Sequence, residues 1–208
     1  IKRIICLLAL ALGLAGSASA NLIVYDGFDY ATGSLGGNAG GTGWTAGVAW
    51  DGGQTVTSPG LEWPGLPVTG NKVTSTSTAS FRLMPTGFSA LNRTIWISFL
   101  CQDSATPSWC GISPFNGSGS EALFIGKPDT SATCGIALYN AQNDSGATTG
   151  SQFDDSGLEQ VFFVVRIVNE ASSSRITAWL NPPLDGEPAT DTAFYDNRTA
   201  GHTVGRVL

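Results

Sequence analysis

The chain has 208 residues, with ten Lys and Arg against sixteen Asp and Glu, a net charge of −6 and only 12% charged residues. That acidic balance, with its few lysines scattered, excludes a nucleic-acid or anionic-membrane binder that works by charge. Gly, Ser, Thr, Asn and aromatic residues are plentiful, which favours strands and polar loops over helices.

The first twenty residues, "IKRIICLLALALGLAGSASA", place Lys2 and Arg3 before an apolar run from Ile4 to about Ala15, then small residues ending in Ala18-Ser19-Ala20. This is the pattern of a secretory signal peptide; the apolar run is too short for a membrane span. Cys6 stands at the front of that run and not at the cleavage position, which excludes a lipoprotein leader. The mature chain is therefore expected to begin at Asn21, and, with Ile1 in place of Met, further residues are expected before Ile1. The leader holds two of the ten basic residues and none of the sixteen acids, so the 188 residues that follow carry −8. They suffice for one domain with a sizeable core.

After "NLIVY" (21–25), a first expected strand, comes "YDGFDYATGSLGGNAGGTGW" (25–44), in which seven of twenty residues are glycine. It lacks the lysine of a phosphate-binding G-x-x-x-x-G-K-[ST] loop, and "GTGWTAG" (41–47) has the wrong spacing for a dinucleotide fingerprint. The glycines are expected to form a long surface loop where positive φ and close backbone approach are needed.

Further β-like runs follow. "SFRLM" (80–84) puts Phe81 and Leu83 on one face and Arg82 on the other, and "RTIWISFLC" (93–101) alternates Ile95, Ile97, Phe99 and Cys101 against Trp96, Ser98 and Leu100. "EALFIGK" (121–127) and "CGIALYN" (134–140) come next, then "VFFVVRIVN" (161–169), apolar on both faces except at Arg166 and so a central strand. "SRITAWLNP" (174–182) sets Ile176, Ala178 and Leu180 against Arg175, Thr177 and Trp179, and "EASS" (170–173) reads as a hairpin turn before it. Many short strands, frequent Gly/Pro/Asn/Ser turns and no helical periodicity after residue 20 predict an all-β fold of two packed antiparallel sheets in one domain, 21–208.

Three cysteines remain after the leader: Cys101, Cys110 and Cys134. In an oxidising compartment Cys101 and Cys110, nearest in sequence, are the candidate disulfide; three buried thiols are the alternative. With no C-x-x-C, a zinc ribbon or thioredoxin-type site is not suggested.

The ordered set "LIVYDGFDYATGSLGG", "GW" (43–44), Trp50, "PGLEWPGL" (59–66), "GNKV" (70–73), "WISFL", "LFIGK" and "AWLNPPL" resembles a group of exported bacterial proteins common in Verrucomicrobia and Planctomycetes, many with a C-terminal Pro-Glu-Pro (PEP-CTERM) sorting tail. The resemblance covers about residues 21–185 and implies a concanavalin A-like, laminin-G-like jelly roll. Such domains end on a strand reading roughly Asp-Glu-Ile-Arg-Ile-Gly; "DNRTAGHTVGRVL" (196–208) carries neither this nor a sorting signal, so a domain lacking its last strand is expected.

Jelly rolls host glycan hydrolysis, which needs two carboxylates about 5–9 Å apart. The E-x-D-x-x-E run of retaining glucanases with this fold is absent, and Glu121, Asp129 and the acidic stretch 154–159 form no such pair in sequence. His202, the sole histidine, lies in the atypical tail, so no base is expected for a Ser-His-Asp or Cys-His site, and a three-His zinc site is excluded. Lys72 and Lys127 are expected to be solvated. Asp26 and Asp29, bracketing Gly27-Phe28, are candidate calcium ligands, with hydrogen bonding to turn amides the alternative. Trp44, Trp50, Trp63 and Trp109 lie in or beside Gly/Pro-rich loops and are candidate sugar-stacking residues; the competing reading is that each caps the core, as expected still more of Trp96.

These readings favour a secreted or cell-surface non-catalytic protein that binds extracellular polysaccharide or cell-surface glycans, with no nucleic-acid partner and no membrane span in the mature chain. A glycan-cleaving enzyme on the same fold and a purely structural envelope protein are the alternatives.

Overall fold

A computed structural model describes residues 21–74, 79–85, 92–102, 109–115, 121, 123–127, 135–138, 160–170, 173–193 and 195–200. Residues 1–20, expected to be a leader, and Asp129, Cys134, the acidic stretch 154–159 and His202 lie outside them. Among the described residues the chain is all-β, apart from a 3-10 turn at Thr190–Thr192. The strands are β1 (Gly33–Ser34), β2 (Asp51–Gly52), β3 (Thr55–Thr57), β4 (Lys72–Thr74), β5 (Ser80–Phe81), β6 (Thr94–Gln102), β7 (Cys110–Ile112), β8 (Leu123–Lys127), β9 (Gly135–Leu138), β10 (Gln160–Asn169), β11 (Ser173–Leu180) and β12 (Tyr195–Ala200). They form four antiparallel sheets, ordered β12-β11-β10-β6, β7-β8-β9, β1-β3-β4 and β2-β5.

The long strands follow the alternation of their sequences. On β6, Ile95 and Cys101 are buried and Ile97 and Phe99 half-buried, while Trp96 and Ser98 are exposed. β10 lies between β11 and β6, with Val165 opposite both Ala178 and Ile97 and Ile167 opposite Ile176 and Ile95. Residues directly opposite in a ladder share a face, so the apolar rows of the three strands coincide. Phe99 and Phe163 stack at 4.9 Å between ring centres. The same cluster includes Leu123 and Ile125 of β8 and Ile136 of β9, so the β7–β9 sheet buries its apolar face with that of the four-stranded sheet. Each fully buried aliphatic side chain there contributes roughly 1.5–3 kcal/mol of transfer free energy.

The turn between β10 and β11 closes on a bond from the Glu170 amide to the Ser173 carbonyl (2.8 Å). The stretch Tyr195–Ala200 forms β12, which pairs along β11 from Ala178↔Tyr195 to Ser173↔Ala200. Its sequence hides this: only Tyr195, at its start, is a large apolar residue, because an edge strand can leave most of its side chains to solvent.

The N-terminal part is built differently. "NLIVY" forms no extended ladder; Tyr25 makes an isolated bridge with Thr42, their amides and carbonyls exchanging bonds of 2.9 and 2.8 Å. The glycine-rich loop therefore doubles back onto the first segment. Gly43 has φ +78°, and a Cβ there would stand 1.8 Å from the carbonyl oxygen of Ile23. Only glycine combines that backbone conformation with that approach. In "SFRLM" the buried face is the one that carries the charge: Arg82 and Met84 point inward, and Phe81 and Leu83 are 43% and 40% exposed.

Candidate functional site

Four loop tryptophans and two aspartates were the sequence candidates, and they do not converge on one surface. Trp44 and Trp50 meet edge to face at 5.4 Å, and Phe28 packs on Trp50 at 5.8 Å. The guanidinium of Arg82 lies 4.7 Å from the Trp44 ring centre and 5.9 Å from that of Trp50. Asp26 closes the group. Its Oδ2 accepts from Tyr30 Oη (2.6 Å), Trp50 Nε1 (2.8 Å) and Arg82 Nη1 (2.9 Å), and its Oδ1 accepts from the Phe28 amide (2.9 Å). The Asp26 and Arg82 side chains are only 4% and 2% exposed.

This arrangement redirects two expectations. Both oxygens of Asp26 are taken up by N–H and O–H donors, an anion held by a cation and dipoles rather than an open oxygen cage of the kind calcium needs. Asp29 is exposed. No group of three His, Cys, Asp or Glu gathers into a metal-sized cluster among the described residues. Trp44 and Trp50 form the aromatic wall of a buried ion pair, and Trp50 Nε1 is spent on Asp26. Arg82 also donates to the carbonyls of Val48 (3.0 Å) and Gly40 (2.7 Å), tying three chain segments together. Burial first, then the hydrogen bond to Asp26, pushes the Tyr30 phenol up to about 12. No sequence signal marks this knot, because its members are separated by up to 56 residues.

Trp109 is 55% exposed and stands edge-on to Phe124 at 4.9 Å, shielding the outer side of β8. Trp96, expected in the core, is 38% exposed on the outer face of β6. It stacks on Trp179 at 5.9 Å, with Arg166 over both rings at 5.7 and 5.5 Å. Residues 181–193 cover this face from outside. Trp179 Nε1 donates to the Ala189 carbonyl (2.8 Å), and Arg166 bonds the Glu187 carboxylate. The covering explains how Trp179, on the same side as the exposed Trp96, is fully buried. Lys127 is buried rather than solvated, whereas Lys72 is half-buried and donates to Gln102 Oε1 at 3.4 Å.

Trp63 is placed differently again. Its ring leans on Phe162 of β10 at 5.9 Å, on the outer side of the four-stranded sheet. The loop around it is braced by a turn from the Leu66 amide to the Trp63 carbonyl (3.0 Å), and Gln160 Nε2 donates to the Glu62 carbonyl. Glu62, Trp63, Pro64, Leu66 and Val68 line an open depression of about 460 Å³. Residues 181–193 adjoin it: a Cβ on Gly65 would stand 3.0 Å from Leu184 Cδ1, and Leu184 itself is exposed. A second depression of about 230 Å³ lies around Trp179, Asn181, Pro182 and Pro183. There the polar groups are committed inward, Asn181 exchanging bonds of 2.8 Å with the Phe162 backbone.

Of the four candidates, Trp63 alone joins an anchored aromatic ring to a concave, partly polar surface of ligand size. No helix of the described residues is long and apolar enough to cross a membrane. Comparison with protein-family models, curated proteins and solved structures found no match to this chain.

Proposed function

We propose that the chain is an exported, non-catalytic jelly-roll protein that binds extracellular polysaccharide or cell-surface glycans through the depression at Trp63. The leader-like segment supports export. The jelly roll is supported by antiparallel sheets whose apolar faces share one core. The observation that carries the binding site is Trp63, whose ring is held on Phe162 in the wall of a depression edged by the exposed Glu62. A sugar ring presents an apolar C–H face and a hydroxyl edge, and matches an indole face beside a carboxylate. Because the indole is already held in place, little side-chain freedom is lost on binding.

The test is polysaccharide pull-down and glycan-array retention of the full chain beside a reducing-sugar release assay. Trp63→Ala is expected to weaken retention at least about tenfold, as for an anchor residue at an interface centre. Trp109→Ala, on the far sheet, is expected to leave retention unchanged. Chelating calcium is expected to change nothing, since Asp26 is engaged by its four donors. Release of reducing sugar would overturn the non-catalytic reading. Absence of retention by a folded sample would favour a structural envelope protein.

A further inference from the structure

Cys101 ends the core-facing row of β6 and is buried; Cys110 opens β7 and is half-buried. These strands belong to different sheets. Their Sγ atoms lie 2.6 Å apart, in the cluster where the two apolar faces meet. Closing to a bond of about 2.05 Å asks for only a small shift of two side chains.

The position of Cys110 is set by its backbone. Gly111 of β7 and Gly126 of β8 are directly opposite one another. A Cβ on Gly126 would stand 2.2 Å from the Cys110 carbonyl oxygen, and one on Gly111 would stand 2.1 Å from that of Ile125. The two strands are pressed together beside the cysteine, so β7 has little room to carry Cys110 away from Cys101.

We infer that Cys101 and Cys110 form a disulfide that staples the β7–β9 sheet to the four-stranded sheet, leaving Cys134 outside the pair. The oxidant is a disulfide of the compartment, carried by a protein or a small thiol; only this part rests on the export proposed above. The more accessible Cys110 thiolate attacks that carrier, forming a mixed disulfide and releasing one carrier thiolate. The Cys101 thiolate then attacks Cys110 Sγ and expels the second. The protein loses two protons and two electrons, and the carrier disulfide is reduced to two thiols.

The experiment uses the full chain made twice, once in an exporting host and once in a reducing cytoplasm. Thiol alkylation under denaturing conditions, intact mass and peptide mapping read the outcome. Before alkylation the exported chain is expected to weigh two hydrogens less than its own reduced sequence counted from its observed N-terminus, and to give one cross-linked peptide joining Cys101 to Cys110, with Cys134 alkylated. The variant Cys134→Ser is expected to give the same peptide. The cytoplasmic chain, purified reduced and treated folded with oxidised glutathione, is expected to close the same pair. Alkylation of both Cys101 and Cys110 after that treatment overturns the staple, as does a map joining Cys134 to either. A chain that the exporting host itself retains, reduced, in its cytoplasm and that closes the pair in glutathione upholds the staple and sinks the export reading instead.

Discussion

Along β10, Val161, Phe163, Val165 and Ile167 are buried at every second position, and the partners that cover them are apolar. Within residues 21–85 the most buried side chains include an arginine and an aspartate, held by three aromatic rings and two backbone carbonyls. The first region needs only side chains of suitable size on the right face. The second needs particular atoms in particular places, because a buried charge without its partners costs several kcal/mol. The apolar region should therefore tolerate small changes of shape, and the polar one should fail when a single group is removed.

The widest separation between the two is expected from Arg82→Ala, which leaves Asp26 buried without its cation. About 3–5 kcal/mol of unfolding free energy should be lost in urea denaturation. Ile167→Val, in the apolar region, should cost only about 1 kcal/mol. A double-mutant cycle with Asp26→Asn should then show strong coupling between Asp26 and Arg82. Additive losses would mean that the pair is not the organising contact of the N-terminal region.

A smaller effect is expected from Gly43→Ala, where the backbone sits at φ +78° against the Ile23 carbonyl. Strain and the displaced Tyr25–Thr42 bridge should cost about 2 kcal/mol, read by thermal melting. A wild-type melting curve would show that the glycine loop is slack rather than packed.

The gentlest probe is alkaline pH. The Tyr30 phenol is raised to about 12 in the fold, from 10.0. The folded state thus keeps its proton where the unfolded chain has lost it, so stability is complete below pH 10 and falls as pH rises from 10 to 12. Tyr30→Phe should remove that component of the slope. If variant and parent lose stability in parallel across this window, Tyr30 Oη does not donate to a buried Asp26.

Three strands of the four-stranded sheet were legible because β6, β10 and β11 have apolar residues at period two, or on both faces in the centre, and nothing competes with that pattern. β12 was not legible, since an edge strand need bury only one side chain firmly. The inward turn of Arg82 was hidden for a different reason. In "SFRLM" the alternation is present, but its phase is set by Asp26, 56 residues earlier, and not by local hydrophobicity. The candidate site was legible as residue types only. Four loop tryptophans stood out, yet nothing near them in sequence distinguishes Trp63, which rests on Phe162, from Trp44 and Trp50, which enclose Arg82.

By itself, the sequence determined the all-β class, the strands of the four-stranded sheet other than β12, and the need for glycine near the first segment. Those properties follow from local periodicity and backbone sterics, which act over a few residues. Tertiary structure alone decided which face of a short strand is buried, which tryptophans are wall and which are surface, and that Cys101 meets Cys110. Each of these depends on contacts between segments distant along the chain or on different sheets, where packing and desolvation decide and local pattern carries no information.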